Sequence, residues 1–210
     1  MSASPAQPAP FVTRVCSHEW VTDARQFGRW MLVVPNAAGV QVLRQHGKRH
    51  LVAAWQGLVG TESLTATVPP EWRLLEKLPL PGSEAEARCS EPVRSPLVTG
   101  LQRLGACGLG CDVRVPYDLA IFGGHFPTIP ILPGVVQVDW AVNLARTNLQ
   151  VGGRFKGITA TKFRRLVQPG MNLALTLEHR PESRELRFEY LLGDALASTG
   201  RVLFRDADDR

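Results

Sequence analysis

The sequence predicts an α+β fold in which an antiparallel sheet wraps one central helix, preceded by a small α+β N-terminal domain. Three observations predict it. A single apolar helix, from about Gly134 to Leu149, stands in the second half of the chain. Strand-like runs flank it, "CDVRVPYDLAIF" before and "FKGITATKFRRLV", "NLALTLEHR" and "LRFEYLLGDALASTGRVLF" after, instead of alternating with further helices. Upstream, residues 79–96 read "PLPGSEAEARCSEPVRSP", proline-rich with small polar residues, which is linker composition. The expected organisation is a disordered tail over 1–10, a small domain over 11–80, a linker over 81–98 and the sheet-and-helix domain over 99–210.

Each element follows from local pattern. "FGRWMLVVP" (residues 27–35) is a short apolar run with strand character, ended by Pro35. From Val40 to Val59, Val40, Leu43, Leu51, Ala54, Trp55 and Leu58 recur at helical spacing with a basic opposite face, and Gly47 weakens that helix. "EWRLLEKLP" gives a short strand, Trp72 to Leu75. In "CDVRVPYDLAIF" the apolar residues reach Leu119 and Ile121 with Pro116 interrupting, so a bend or bulge is expected. The turn "QPG" joins the first two later strands, and the last run is long enough to bend near Gly193.

Composition narrows the function classes. The chain has 210 residues, 44% hydrophobic and 20% charged, with a net charge of +5. Residues 1–90 hold 9 Lys/Arg against 7 Asp/Glu, and residues 91–210 hold 15 against 12. So mild and even an excess does not argue for nucleic acid. No apolar run is long enough for a membrane span. "MSASPAQPAPF" lacks the charged-then-apolar pattern of a secretory signal, so cytoplasm is the expected compartment. Cys16, Cys89, Cys107 and Cys111 are too scattered for a disulfide framework, and the C-x3-C of "CGLGC" has no further ligands nearby, so no metal is expected.

The informative stretch is "GHFPTIPILPGVVQVDW", residues 124–140. The helix it enters is apolar nearly all round: Val135, Val138, Val142, Ala145 and Leu149 form one stripe, and Val136, Trp140 and Leu144 another. Such a helix is expected to be buried on most sides. Asp139 lies among these residues. A buried ionised carboxylate is costly unless paired, so a desolvated Asp139 should hold its proton more tightly and become able to exchange it near neutral pH. The first amides of a helix lack intrahelical partners and can hold a developing oxyanion, and Pro133-Gly134 sets them just there. His125 lies upstream, and imidazole suits proton transfer at neutral pH. Yet a lone loop histidine is commonly structural, and a lone helix aspartate is commonly a cap or solvated. Residue types and spacing alone leave both readings open.

That stretch resembles the signature of the hotdog-fold β-hydroxyacyl-(acyl carrier protein) dehydratases: a histidine, Phe-Pro, a Pro-Gly before the central helix, and an acid fourteen residues after the histidine. "KFRRLVQPG" (residues 162–170) is similar to the strand and turn that follow the family's central helix. The resemblance covers roughly residues 110–205. Within the family, "ILPGVVQVDWA" is most similar to members associated with aryl-polyene synthesis. Thr128 departs from the usual glycine after His-Phe-Pro, and Met171 from an acid after Pro-Gly.

The resemblance implies loss of water from a 3-hydroxyacyl thioester, giving the trans-2-enoyl product. His125 and Asp139 would be the catalytic pair. The amides of Gly134 and Val135 would hold the thioester oxygen, and Phe126 would border the substrate. No cofactor is implied, the acyl group riding on the phosphopantetheine of an acyl carrier protein. Arg146, Lys156, Lys162, Arg164 and Arg165, with Arg154, could dock that carrier, although strand alternation keeps them from sharing one face. The site would lie between two subunits, in a homodimer or in a heterodimer with another hotdog subunit. The alternatives are a hotdog thioesterase and an inactive hotdog subunit that binds a carrier or partner. Further upstream, "HEWVTDAR" and "VPPEWRLLEKLPL" resemble the small C-terminal subdomain of adenylate-forming ligases. The loop that carries the ligases' adenylation lysine here reads "LPLPGSEAEAR" and has no lysine, which implies a remnant that cannot adenylate.

Overall fold

The computed structural model describes residues 10–58, 71–126 and 128–206. All but the last residue of the expected 1–10 tail lies outside them. The chain divides into two compact units: one joins the residues up to Arg94 with Pro116–Pro130, the other joins Ser95–Val115 with Ile131 onward. The segment 116–130, expected within the 99–210 domain, therefore clusters with the first unit.

In that first unit, α1 (Pro10–Cys16) precedes a hairpin of β1 (Val21–Phe27) and β2 (Trp30–Pro35). Phe27 pairs with Trp30 across a two-residue turn that needs the positive φ of Gly28 (54°). The Asn36 side chain then accepts from the Gly39 amide at 3.0 Å and caps α2 (Ala37–Leu58). Gly47, at φ 77° and ψ 170°, breaks α2 into two helical pieces, as its lack of a side chain allows. Val40 and Leu43 are buried before the break, Leu51 and Trp55 after it. The next strand, β3 (Glu71–Leu74), lies parallel to β2 and completes the order β1-β2-β3. Trp55 and Trp72 stack with ring centroids 5.6 Å apart in a core with Val15, Met31, Val33 and Leu43, against which Tyr117 packs.

The expected linker is structured. Ser83 caps α3 (Glu84–Ala87), accepting from the Glu86 amide, and a 3-10 turn over Arg88–Ser90 follows. Glu86 is buried, paired with Arg25 at 2.7 Å. The linker's prolines Pro81, Pro92 and Pro96 fall between elements.

In the second unit, β4 (Leu97–Leu104), β5 (Gly108–Arg114), β6 (Arg154–Phe163), β7 (Asn172–Arg180), β8 (Glu185–Leu192) and β9 (Ala195–Arg205) form one antiparallel sheet in the order β4-β5-β7-β8-β9-β6. The helix α4 (Gly134–Leu149) packs against β5, β7 and β8, and this is the hotdog arrangement. Alternation does the work in β7, where Leu173, Leu175 and Leu177 are buried and the residues between them exposed. Each such leucine contributes about 2 kcal/mol of apolar burial. The long final run is two strands, β8 and β9, joined at Gly193 (φ 59°), with Leu192 opposite Ala195. Leu119 and Ile121, expected on a strand, are not: β5 ends at Arg114 ahead of Pro116, and residues 120–123 form a 3-10 turn. No described helix is long and apolar enough to cross a membrane.

Candidate active site

The approach to α4 is tied down by the backbone. The Leu132 amide donates to the Val167 carbonyl at 2.7 Å, and the Val136 and Gln137 amides both donate to Pro133 O, at 3.1 and 3.2 Å. Gly134 opens the helix, and a Cβ there would sit 2.3 Å from the Phe163 ring, so any larger residue would push that ring aside. The Phe163 side chain of β6 thus packs against the start of α4, whose first amides are those of Gly134 and Val135. Those amides precede any intrahelical acceptor.

Asp139 corrects an expectation. It is exposed, not desolvated, and its carboxylate accepts from Asn143 Nδ2 at 3.1 Å. Val135, one turn earlier, is 70% exposed. Residues four apart share a helix face, so Val135, Asp139 and Asn143 make one open face of α4. The helix is therefore not buried on most sides. It buries Gln137, Val138, Trp140, Ala141, Ala145 and Leu149 and leaves Val136, Val142 and Leu144 half-buried.

The polar residue that α4 does bury is Gln137. Its side-chain oxygen accepts from Ser198 Oγ at 2.7 Å, and its backbone carbonyl accepts from the Tyr190 hydroxyl at 2.9 Å. Burial above all, with smaller contributions from Cys111 and Asp139, pushes the Tyr190 phenol far above its ordinary range, so it stays a neutral donor. The Cys111 thiol, buried in β5, is also pushed up, first by burial and then by Asp112. Cys107, the other half of "CGLGC", is exposed at the turn before β5.

His125 belongs to the first unit. Half-buried, it follows the 3-10 turn, and its amide donates to Ile121 O at 3.0 Å. Its ring meets that of Phe126 edge-on, centroids 4.4 Å apart. Phe126 has φ 58°, a left-handed conformation that costs a non-glycine residue energy, and is 54% exposed. His125 and Phe126 thus lie in one unit, and Gly134, Val135 and Asp139 in the other. Arg146, Arg154, Lys156, Lys162, Arg164 and Arg165 are all exposed. Arg146 donates to Gly153 O at 3.1 Å, and the amides of Arg164 and Arg165 share the Ala197 carbonyl. Sequence reasoning passed over Gln137 and Asp118. Asp118 is buried seven residues before His125, and its partners, Lys48 and Arg73, come from the N-terminal segment.

Comparison with known proteins decides the family. Residues 105–201 match the family described as ApeI-like, ApeI dehydratase. The chain is 35% identical over 111 residues to 3-hydroxyacyl-(acyl-carrier-protein) dehydratase FabZ of Erythrobacter litoralis (strain HTCC2594), covering 46% of this chain and 73% of that one. The chain belongs to the hotdog dehydratase family. A FabZ dehydratase of Latilactobacillus sakei subsp. sakei (strain 23K) is 36% identical over 92 residues, covering 40% of this chain and 63% of that one. The chain thus spans just under two thirds of the length of the first curated relatives it matches. Among solved structures, the dehydratase heterocomplex ApeI:P from Xenorhabdus doucetiae is similar at 32% identity and a TM-score of 0.50, covering 53% of this chain and 99% of that one. For the dehydratase family, dehydration of 3-hydroxyacyl-(acyl-carrier-protein) is the activity at family level. The match at 105–201 leaves the N-terminal segment outside it.

Proposed function

We propose that this chain dehydrates a 3-hydroxyacyl thioester carried on an acyl carrier protein, in acyl synthesis of the aryl-polyene or fatty-acid type. His125 takes the C2 proton, the electron pair of that C–H bond forms the C2–C3 double bond, and the C3–O bond breaks as Asp139 supplies a proton to the departing hydroxyl. The products are water and the trans-2-enoyl thioester. The amides of Gly134 and Val135 hold the thioester oxygen as it gains enolate character, and Phe126 borders the acyl group. The phosphopantetheine of the carrier is the only prosthetic group in this reading.

The observation that carries it is the open face of α4. An acid, Asp139, stands one turn after the exposed Val135 on the open face of α4, near the helix start against which Phe163 packs. A second subunit seated there would take Asp139 out of water. The edge strand β6 supports such a subunit, since Phe155, Ile158 and Phe163 are 52%, 41% and 49% exposed along an open edge. The solved heterocomplex relative makes another hotdog chain a natural partner, and a second copy of this chain is the other. Those of the exposed cations from Arg146 to Arg165 that share a face would meet an acidic carrier.

The test is to incubate the purified chain with 3-hydroxyacyl carriers of several acyl types and follow their mass. Loss of one water, abolished by His125→Ala and by Asp139→Ala and partly restored on mixing the two variants, is expected. Free acid and free thiol would mean a thioesterase. No change with any carrier, alone or with a second hotdog subunit, would overturn the reading.

A further inference from the structure

Asp118 is 8% exposed, and cations from two elements of the N-terminal segment converge on it. Lys48 Nζ, just past the Gly47 break in α2, donates to both carboxylate oxygens at 2.7 and 2.8 Å. Arg73 of β3 reaches Oδ2 at 3.4 Å. Arg73 is itself immobilised: its Nε donates to Cys89 O at 2.8 Å, one terminal nitrogen donates to Ser90 O at 3.1 Å, and its guanidinium lies 4.4 Å over the Trp30 ring.

From Asp118 the backbone runs to His125 through short hydrogen-bonded steps. Leu119 is buried and bridged to Val93, and the Ala120 amide donates to Val93 O at 2.8 Å. The Phe122 amide returns to Leu119 O at 3.0 Å, and the Gly124 and His125 amides return to Ile121 O at 3.2 and 3.0 Å. A cavity of about 620 Å³ lies beside this turn, lined among others by Trp30, Lys48, Arg73, Tyr117, Asp118 and Phe122. Leu119 and Phe122 are buried and the Val93 bridge holds the start of the turn, while the charged cluster ties down Asp118 immediately before it.

We propose that Lys48 and Arg73, acting through Asp118, are positioning residues for the His125 loop, so that the N-terminal segment serves the dehydration by fixing where its imidazole stands. This rests on His125 being the base proposed above. A loop free to shift by an ångström would place that imidazole outside proton-transfer reach of C2.

The experiment compares full-length wild type, Lys48→Met and Lys48→Arg, first by amide hydrogen exchange and then by steady-state dehydration. Lys48 is partly exposed and Arg73 remains on Asp118, so the methionine variant keeps its fold, which circular dichroism checks. Lys48→Met should speed exchange at Ala120, Phe122, Gly124 and His125 while leaving β7 and β8 as in wild type. It should lower kcat about tenfold with KM within about twofold, and Lys48→Arg should restore both readouts. Wild-type exchange and kcat in Lys48→Met overturn the proposal. So does a loss that spreads over the whole chain or that Lys48→Arg fails to mend. A wild type that dehydrates no carrier defeats the proposed function, and the exchange data then decide the anchoring by themselves.

Discussion

Asp118 and Gln137 are the instructive pair. Each is a buried polar residue in its own unit, and each is satisfied by partners far off in sequence. Asp118 is charged and reaches Lys48 and Arg73, 70 and 45 positions away. Gln137 is neutral and reaches Ser198 and Tyr190, 61 and 53 positions away. The difference lies in the partners' access to water: the Lys48 side chain keeps 32% of its surface exposed, whereas Ser198 and Tyr190 have none. A charged knot with one foot in solvent can fasten a loop and be loosened. A dry neutral knot seals a helix to a sheet and has no such freedom.

The largest expected effect breaks the charged side. Asp118→Ala leaves two cations facing each other without a counter-ion and should cost about 3 kcal/mol in urea unfolding followed by tryptophan fluorescence. A cost well under 1 kcal/mol would show that the cluster is already solvated. The neutral side should yield less. Ser198→Ala strands the Gln137 side-chain oxygen and should cost about 1–2 kcal/mol, with little dependence on added salt, whereas the Asp118 effect shrinks as salt rises. Equal salt dependence in the two variants would erase the distinction. The smallest effect sharpens the comparison at a third polar site, Glu185 in β8. The hydrogen bond from Arg187, opposed by burial and aided by the charges of Arg187, Arg201 and Arg180, holds its carboxyl below the usual range. A folded-state pKa below the unfolded one means that its stabilisation is present above about pH 4.3 and is lost as pH falls through the folded value. Glu185→Gln should therefore flatten the acid limb of the stability curve while staying within about 1 kcal/mol of wild type at pH 7.

Much of this was legible along the chain. The span Gly134–Leu149 was readable because Pro133-Gly134 starts a helix and the apolar spacing sustains it to Leu149. Leu173, Leu175 and Leu177 announced β7 by alternation alone. Several elements were not legible, among them β1 and α3, and two show why. β4 reads "LVTGLQRL", and it lies at the sheet edge with little burial to impose a period. α1 is seven residues and gains its place from Val12 and Val15 entering the core of the first unit. The candidate site was legible as a list, from His125 to Asp139, and misread in its environment. Asp139 was expected to be desolvated because its neighbours in sequence are apolar, yet the helix face it shares with Val135 and Asn143 is open.

The sequence by itself determined the local matters: where α4 begins and ends, which strand residues alternate, that the last run bends near Gly193, and the fourteen-residue spacing between an imidazole and an acid, whereas the turn at Gly28 falls inside the run 27–35 that reads as one strand. These depend on backbone preferences and periodicity, which act over a few residues. Only the tertiary structure decided that Pro116–Pro130 joins the N-terminal segment, that Asp118 meets Lys48 and Arg73, and that Gln137, not Asp139, is the polar residue α4 buries. Burial and pairing are set by whichever distant segments arrive alongside, and no window of neighbouring residues contains that information.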